Sequence, residues 1–329
     1  MKERICLLDL GYTEKEGKSF IRLTGRKENG ESASVLYPKK PYLYALPKKA
    51  DKKTEEKILS LKDPKVIRVE KKKRTLDGQE QDFFKIFIQK HSKLSDLRNN
   101  LKDMGGIREI FEYSINFYKR FLLDNDFVPG DWIGIEIGEN SDEPEKIKKL
   151  KKKPLDFKRI SFDIETYQEG KETRIIMISL FGNNLRKVIT YREDDFPDYV
   201  KKVKNEKQLL EEFVHTIRKE DPDIIYGYNS DSFDFKILRQ RSRKNKVKLN
   251  ISRDNSGIKF KRRARTSSAR IQGRVHIDIY NFVSRVVRTQ LQTEVLSLSE
   301  VSSEVLKDEK IDMKMEDIQE AWRKGNIKN

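Results

Sequence analysis

Cysteine is almost missing from this chain: Cys6 is the only one among 329 residues. That excludes an intrachain disulfide and any cysteine-built zinc site. Histidine is nearly as scarce, and His91, His215 and His276 lie far apart in sequence. Any metal held here must therefore use oxygen ligands. Long apolar runs are lacking too. The cleanest, IIMISLF at 175–181, is far too short to span a bilayer. The N-terminus, MKERICLLDLGY, offers neither an adequate apolar region nor a small-residue cleavage site, so no secretion signal is read and a cytoplasmic location is expected.

Acidic charge is the minority sign. Lys and Arg number 71 against 54 Asp and Glu, a net charge of +17. Such a surplus favours a polyanionic partner, nucleic acid first and an anionic membrane surface second. Charged residues make up 38% and apolar residues 36%, yet 17 Phe and 12 Tyr supply enough aromatic bulk to argue against wholesale disorder. The length suggests two domains.

Residues 1–47 alternate short apolar runs with turns and read as strands, among them KPYLYALP at 40–47. Residues 53–61 and 94–104 have helical spacing, the second ending at Gly105-Gly106; FFKIFI at 83–88 reads as a strand. The first 142 residues thus form a mixed α+β domain. EPEKIKKLKKKP, 143–154, is nearly all charge and reads as a solvated basic linker. From 155 to 329 the order is strand, strand, strand, helix, strand, helix, strand, which suggests an α/β domain with a mixed sheet. Leu209, Leu210, Phe213, Val214 and Ile217 share one face of its first helix.

The sharpest local feature is Asp163-x-Glu165 inside an apolar strand. Residues i and i+2 of a strand point to one face. Two carboxylates there are costly beside hydrophobic neighbours unless a cation binds them, and Mg²⁺ prefers such hard oxygen ligands. Acids facing solvent at a strand end are the plainer reading. The second feature is YGYNSDSFDFKIL, 226–238. An apolar strand ends near Asn229, a polar turn follows, and a helix starts near Phe233, so Asp231 and Asp234 are equally readable as ordinary helix caps. Phe162 and Phe233 flank the acids; stacking on a base and packing in the core are both open to them. KFKRRARTSSARIQGR, 259–274, is strongly basic, a solvated loop or hairpin by itself and a DNA-backbone contact in the presence of a nuclease site. Asp278 sits mid-strand and has the geometry to support an acidic cluster, with His276 on its face read as structural. Gly17-Lys18-Ser19 echoes a phosphate-binding loop, but Tyr12 stands where a glycine is required.

Taken together, DIET at 163–166 and YNSDSFDF at 228–235 resemble the first two motifs of the 3′→5′ proofreading exonuclease in archaeal-type family B DNA polymerases. KENG at 27–30, KPYLYAL at 40–46, FEYSINFYKRFLLD at 111–124, KEDPDIIYGYN at 219–229 and GRVHIDIYNFVSR at 273–285 resemble the family in the family's order. The resemblance covers essentially the whole chain. It implies an N-terminal domain followed by a ribonuclease H-like exonuclease domain. It also implies that Asp163, Glu165 and Asp234 are catalytic acids holding two Mg²⁺ or Mn²⁺ ions, which clamp the attacking and leaving oxygens of an in-line phosphodiester displacement. DNA contacts are expected from Asn229, Phe233, Lys261, Arg262, Arg263 and Arg265.

The family's fourth acid lies in a third motif, Tyr-x-x-x-Asp, after a helix ending Ala-Trp-x-x-Gly. DIQEAWRKG at 317–325 matches that preceding helix, and the sequence stops at Asn329. MKMED at 313–317 lacks the tyrosine and precedes Ala321-Trp322, so it reads as a helix start. The expectation is an N-terminal part or split subunit of such a polymerase, without the polymerase active site. A second chain would supply the third motif, the last exonuclease helix and the polymerase domains. An exposed apolar strip on the sheet or beside the Ala321–Trp322 helix follows from this. The rival is a non-catalytic DNA-binding or partner-binding module. In the N-terminal domain, Pro41, Tyr42 and Phe117 match the template-base pocket with which archaeal members read uracil. Phe83 stands near the point where the family usually has a small aliphatic residue.

Overall fold

Alternation of apolar and polar residues dictates the first elements: β1 (Lys2–Lys15), β2 (Lys18–Arg26), β3 (Ser32–Pro38) and β4 (Tyr42–Pro47). The computed structural model describes residues 2–137, 144–263, 266–307 and 315–324. It divides into two compact units, Met1–Leu155 and Asp156–Asn329.

In the first unit, α1 (Lys52–Leu59), β5 (Val66–Leu76), β6 (Gln79–Ile88), α2 (Leu94–Asp103), β7 (Ile107–Phe111), α3 (Phe117–Asn125), β8 (Trp132–Ile137) and β9 (Pro144–Lys149) follow. Five strands form one sheet in the order β3-β2-β1-β8-β9, and four form another in the order β5-β6-β4-β7. Ile5, Leu7, Ile21, Leu23 and Ile133 are fully buried beside Phe121 of α3. Leu43, Ile58, Ile86, Leu97 and Leu101 are fully buried in a separate core that joins α1 and α2 to the second sheet. The residues around Gly17 are no phosphate cradle. Glu16 and Gly17, both with positive φ, form the two-residue turn between β1 and β2.

The charged segment read as a linker is, over 144–149, a strand: β9 pairs antiparallel with β8 and closes the sheet edge. Its lysines concealed this because an edge strand faces water on one side and tolerates charge there. Ile147 packs on the core, while Lys146, Lys148 and Lys149 are exposed.

The second unit contains β10 (Arg159–Glu169), β11 (Glu172–Gly182), β12 (Leu185–Thr190), β13 (Val200–Lys202), α4 (Glu206–Glu220), β14 (Ile224–Gly227), α5 (Asp234–Lys244), β15 (Lys259–Arg263), β16 (Thr266–Arg270), β17 (Val275–Asp278), α6 (Ile279–Phe282), α7 (Leu298–Leu306) and α8 (Met315–Lys324). Its six-stranded sheet runs β13-β12-β11-β10-β14-β17. The β10–β11–β12 meander is antiparallel, and β14 and β17 add parallel beyond β10. This is the ribonuclease H-like arrangement. Ile160, Phe162 and Ile164 alternate into one face of β10 and pack against Leu209, Leu210, Phe213 and Ile217 of α4 and Phe235 and Leu238 of α5. Phe162 is thereby a core residue, 5.0 Å from the Phe235 ring. Ser161 and Asp163 point the other way and are exposed. Ser161 pairs with Phe181 in β11, and Phe181 is 66% exposed on that open sheet. Trp322, by contrast, packs edge-on against Tyr191 at 5.2 Å. Among the described residues no helix is long and apolar enough to cross a membrane.

Candidate functional site

The site grows from the end of β10. Period-two alternation carries Asp163 and Glu165 to the same face, Asp163 exposed and Glu165 half-buried, and the register with β11 shifts directly after Glu165. Asp234 arrives from the other side as the first residue of α5, only 3% exposed. The Ile164 backbone N–H of β10 faces its carboxyl closely enough to favour the charged form. Its Oδ1 is buried without a hydrogen-bond partner. Burial pushes the Asp234 carboxyl up to about 7, and the negative charge of Asp163 pushes in the same direction. Asp163 and Asp234 are thus brought together, with Glu165 one strand step beyond. Among the described residues no group of three or more His, Cys, Asp or Glu side chains closes into a metal-holding cluster.

The turn that delivers Asp234 is fixed from beneath by Asp278, at the end of β17. One Asp278 oxygen accepts the N–H of Asn229 at 2.8 Å and of Tyr280 at 3.1 Å, and the other accepts that of Asp231 at 3.0 Å. This holds Asn229 in left-handed backbone, φ 59°, with its side chain exposed. Gly227 makes the tight turn possible, since a Cβ there would lie 2.5 Å from the Ser230 side chain. Asp231 is buried. It accepts the Ala269 N–H of β16 at 2.6 Å and lies 3.6 Å from Nδ1 of His276, whose Nε2 is 3.0 Å from Ser230 Oγ. Desolvation pushes Asp231 up and His276 down, both toward the neutral form. Asp231, Asp278 and His276 therefore build the turn.

Phe233 precedes Asp234 and is 38% exposed, in contrast to buried Phe162. The basic segment is a hairpin in which β15 pairs with β16, so the backbones of Lys261, Arg262 and Arg263 lie in a strand; Arg265 is outside the described residues. The hairpin joins the turn through the Asp231–Ala269 bond. Its base is held by Arg253 and Arg274, which donate to Asp221 at 2.9 and 2.7 Å.

Pro41, Tyr42 and Phe117 are all buried in the first unit. The Tyr42 hydroxyl donates to Asp124 at 2.5 Å, and the Lys85 ammonium lies 3.9 Å from its ring centre. Phe117 stacks on His91 at 5.0 Å and meets Tyr12 edge-on. Phe83 packs on Phe111 at 5.6 Å.

Sequence reading missed a second anchor. Glu206, first in α4, accepts the Ile175 N–H and receives Arg241 through two nitrogens, locking α4, α5 and β11 together. Only the fold brings these residues together, and no local signal marks them.

The DNA polymerase family B exonuclease domain matches residues 108–301, more than half of the chain. Over 97% of its length the chain is 33% identical to a DNA polymerase of Pyrococcus glycovorans and 32% identical to DNA polymerase 1 of Pyrococcus abyssi. It spans 39% of the length of each. The family B DNA polymerase structure from Pyrobaculum calidifontis superposes with a TM-score of 0.79 at 22% identity, covering 98% of this chain and 42% of that one. An archaeal-type relationship over nearly every described element, with the exonuclease-domain match centred on β10 through β17, leads to one assignment: the chain belongs to DNA polymerase family B.

Proposed function

We propose that this chain carries the 3′→5′ exonuclease site of a family B DNA polymerase and acts on single-stranded or frayed DNA 3′ ends in replication or repair. The single observation that carries this reading is Asp234, a buried acid with an unpartnered oxygen, aimed where the exposed Asp163 repels it. A carboxylate pair in that state fits a divalent cation better than any other occupant. Asp163, Glu165 and Asp234 would hold Mg²⁺ or Mn²⁺. When bound, such ions neutralise charge that develops as water displaces the terminal nucleotide.

The chain's own groups do the rest. Phe233 offers an exposed ring beside Asp234 for the terminal base. Asn229 is held by Asp278 at the mouth of the turn. Lys261, Arg262, Arg263 and Arg265 contact the phosphate backbone in this reading, so binding weakens steeply with salt. In this reading the chain works in the cytoplasm at the nucleoid, as part of a family B DNA polymerase. Pro41, Tyr42 and Phe117 line a template-base pocket.

One observation favours a second reading, a non-catalytic DNA-binding module: no three-carboxylate cluster closes among the described residues. Incubation with 5′-labelled single-stranded DNA and Mg²⁺ or Mn²⁺, beside Asp163→Ala and Glu165→Ala, separates the two. A ladder of 3′-shortened products that both substitutions abolish is the expected result. Intact DNA with undiminished binding sinks the catalytic reading for the isolated chain and leaves the module.

A further inference from the structure

Tyr191 and Arg192 directly follow β12 and have no part in the site described so far, but they sit at the end of a row that does. Glu165 pairs with Met177 in β11, and Met177 pairs with Thr190, the last residue of β12. One cross-strand row of the sheet thus runs from a candidate metal ligand to this strand end. The ladder is interrupted there, because the β10–β11 register shifts between Glu165 and Thr166. Helix α8 packs on β10, and its last turn reaches Tyr191 and Arg192.

Arg192 holds that turn and is only 9% exposed. One of its terminal nitrogens donates to the Ala321 carbonyl at 3.2 Å and to the Trp322 carbonyl at 2.8 Å. Both residues lie among the last four of α8, whose carbonyls have no partner inside a helix, and the cation also meets the negative end of the helix dipole. The guanidinium carbon lies 5.4 Å from the Trp322 ring centre, and that ring meets Tyr191 edge-on. Asp194 supplies a counter-charge 3.8 Å from Nε. The strand end itself is tied to β11, since Thr190 Oγ1 donates to the Ile176 carbonyl at 2.9 Å. A guanidinium buried to this extent is costly unless it is hydrogen-bonded, and α8 supplies two of its acceptors. Docking of α8 and burial of Arg192 therefore go together.

We propose that Arg192 is a positioning residue for the exonuclease site. It latches α8 onto the sheet, and α8 in turn holds the Glu165 end of β10 where that carboxylate joins Asp163 and Asp234 around a divalent cation. The inference rests on the exonuclease reading and adds to it a residue that touches neither metal nor DNA. Asp163 and Asp234 are brought together by the turn before α5. Glu165 stands one strand step beyond, next to the register shift, and is the acid whose place depends on further support. Removing an outer group that orients a metal ligand costs about 10- to 100-fold in metal affinity.

The test uses the full chain carrying Trp132→Phe, which leaves Trp322 as its only tryptophan. Electron paramagnetic resonance of free Mn²⁺ gives the binding constant, and acrylamide quenching of Trp322 emission reports whether α8 is docked. Arg192→Ala is expected to weaken Mn²⁺ binding about tenfold and to make Trp322 more quenchable. Arg192→Lys, which keeps a donor for one carbonyl, should recover part of both. Trp322→Ala, with Arg192 intact, should also weaken Mn²⁺ binding, and it carries the comparison if Arg192→Ala does not fold by circular dichroism. In cleavage of 5′-labelled single strands, Arg192→Ala should need more Mn²⁺ for half-maximal rate while KM for DNA stays unchanged. Asp234→Asn is the control. Mn²⁺ binding that Asp234→Asn leaves intact overturns the exonuclease reading, and this inference with it. Mn²⁺ binding that Asp234→Asn abolishes, but that Arg192→Ala and Trp322→Ala leave unchanged, overturns the positioning role alone, whatever the quenching shows.

Discussion

Asp234 makes the energetics of the candidate site measurable without any substrate. In the unfolded chain its carboxyl ionises near the ordinary aspartate value of 3.8, and in the folded chain burial and Asp163 lift it to about 7. Between those values the folded state holds a proton that the unfolded state has released. Stability therefore falls as pH rises through this window, opposite to the usual acid dependence of a salt-bridged aspartate. The full effect is about three pH units, on the order of 4 kcal/mol, and roughly 3 kcal/mol of it lies between pH 5 and pH 8. With 3% exposure, little of it is screened by solvent. Asp234→Asn keeps the shape and removes the titration. Urea unfolding of both proteins at pH 5 and pH 8 in chelator isolates the contribution as a difference of differences. The wild-type chain should lose roughly 3 kcal/mol more than Asp234→Asn on going to pH 8. Asp163→Asn should show a smaller loss than the wild type, with most remaining because burial is the larger cause. Mg²⁺ at pH 8 should restore stability to the wild type alone, since a cation replaces the proton. Parallel pH dependences in wild type and Asp234→Asn would refute the reasoning.

Other substitutions probe the scaffold. Gly227→Ala places a methyl group 2.5 Å from Ser230 Cβ and should cost about 1–3 kcal/mol in thermal unfolding, with matching loss of nuclease activity because the turn carries Asp234. Glu206→Ala leaves the buried Arg241 guanidinium only Glu172, at 3.7 Å, and should cost about 3–5 kcal/mol by urea titration; a paired Glu206→Met, Arg241→Met chain should recover much of it. Asp278→Ala removes the acceptor for the Asn229, Asp231 and Tyr280 amides, at about 1–3 kcal/mol for each amide left buried and unsatisfied. Hydrogen exchange at 229–231 should rise in that variant while α4 stays protected; uniform exchange across both would count against a local role.

The elements that sequence reading located carry their own signals. Helix α4 announces itself through Leu209, Leu210, Phe213, Val214 and Ile217, and its Asn205 cap accepts the Gln208 N–H at 3.0 Å. The end of α2 is written in Gly105 and Gly106, both with positive φ. Strand β9 failed to announce itself because pairing with β8, and not apolar alternation, makes it a strand. The same distinction runs through the site. Asp163-x-Glu165 is visible because period two is a local property, and Asp234 because the turn before it resembles a known motif. That Phe162 faces the core while Phe233 stays exposed was not decidable from sequence, since both flank an acid and only the packing of α5 separates them.

Four aspartates show how one residue type divides between architecture and chemistry. Asp231 and Asp278 are both buried, and each accepts at least two hydrogen bonds, which fix a turn that glycine and a left-handed asparagine make tight. Asp234 breaks the rule that buried carboxylates are compensated: it keeps an oxygen buried and unpartnered, beside the charge of Asp163. A fold spends stability on such a pair only where something else completes it, and local violations of this kind concentrate at functional sites. Asp231 and Asp278 connect to Asp234 through the 229–234 turn. The rigidity conferred by Asp278 and Asp231 is thus what allows Asp234 to be held against Asp163 at all, instead of relaxing outward to water.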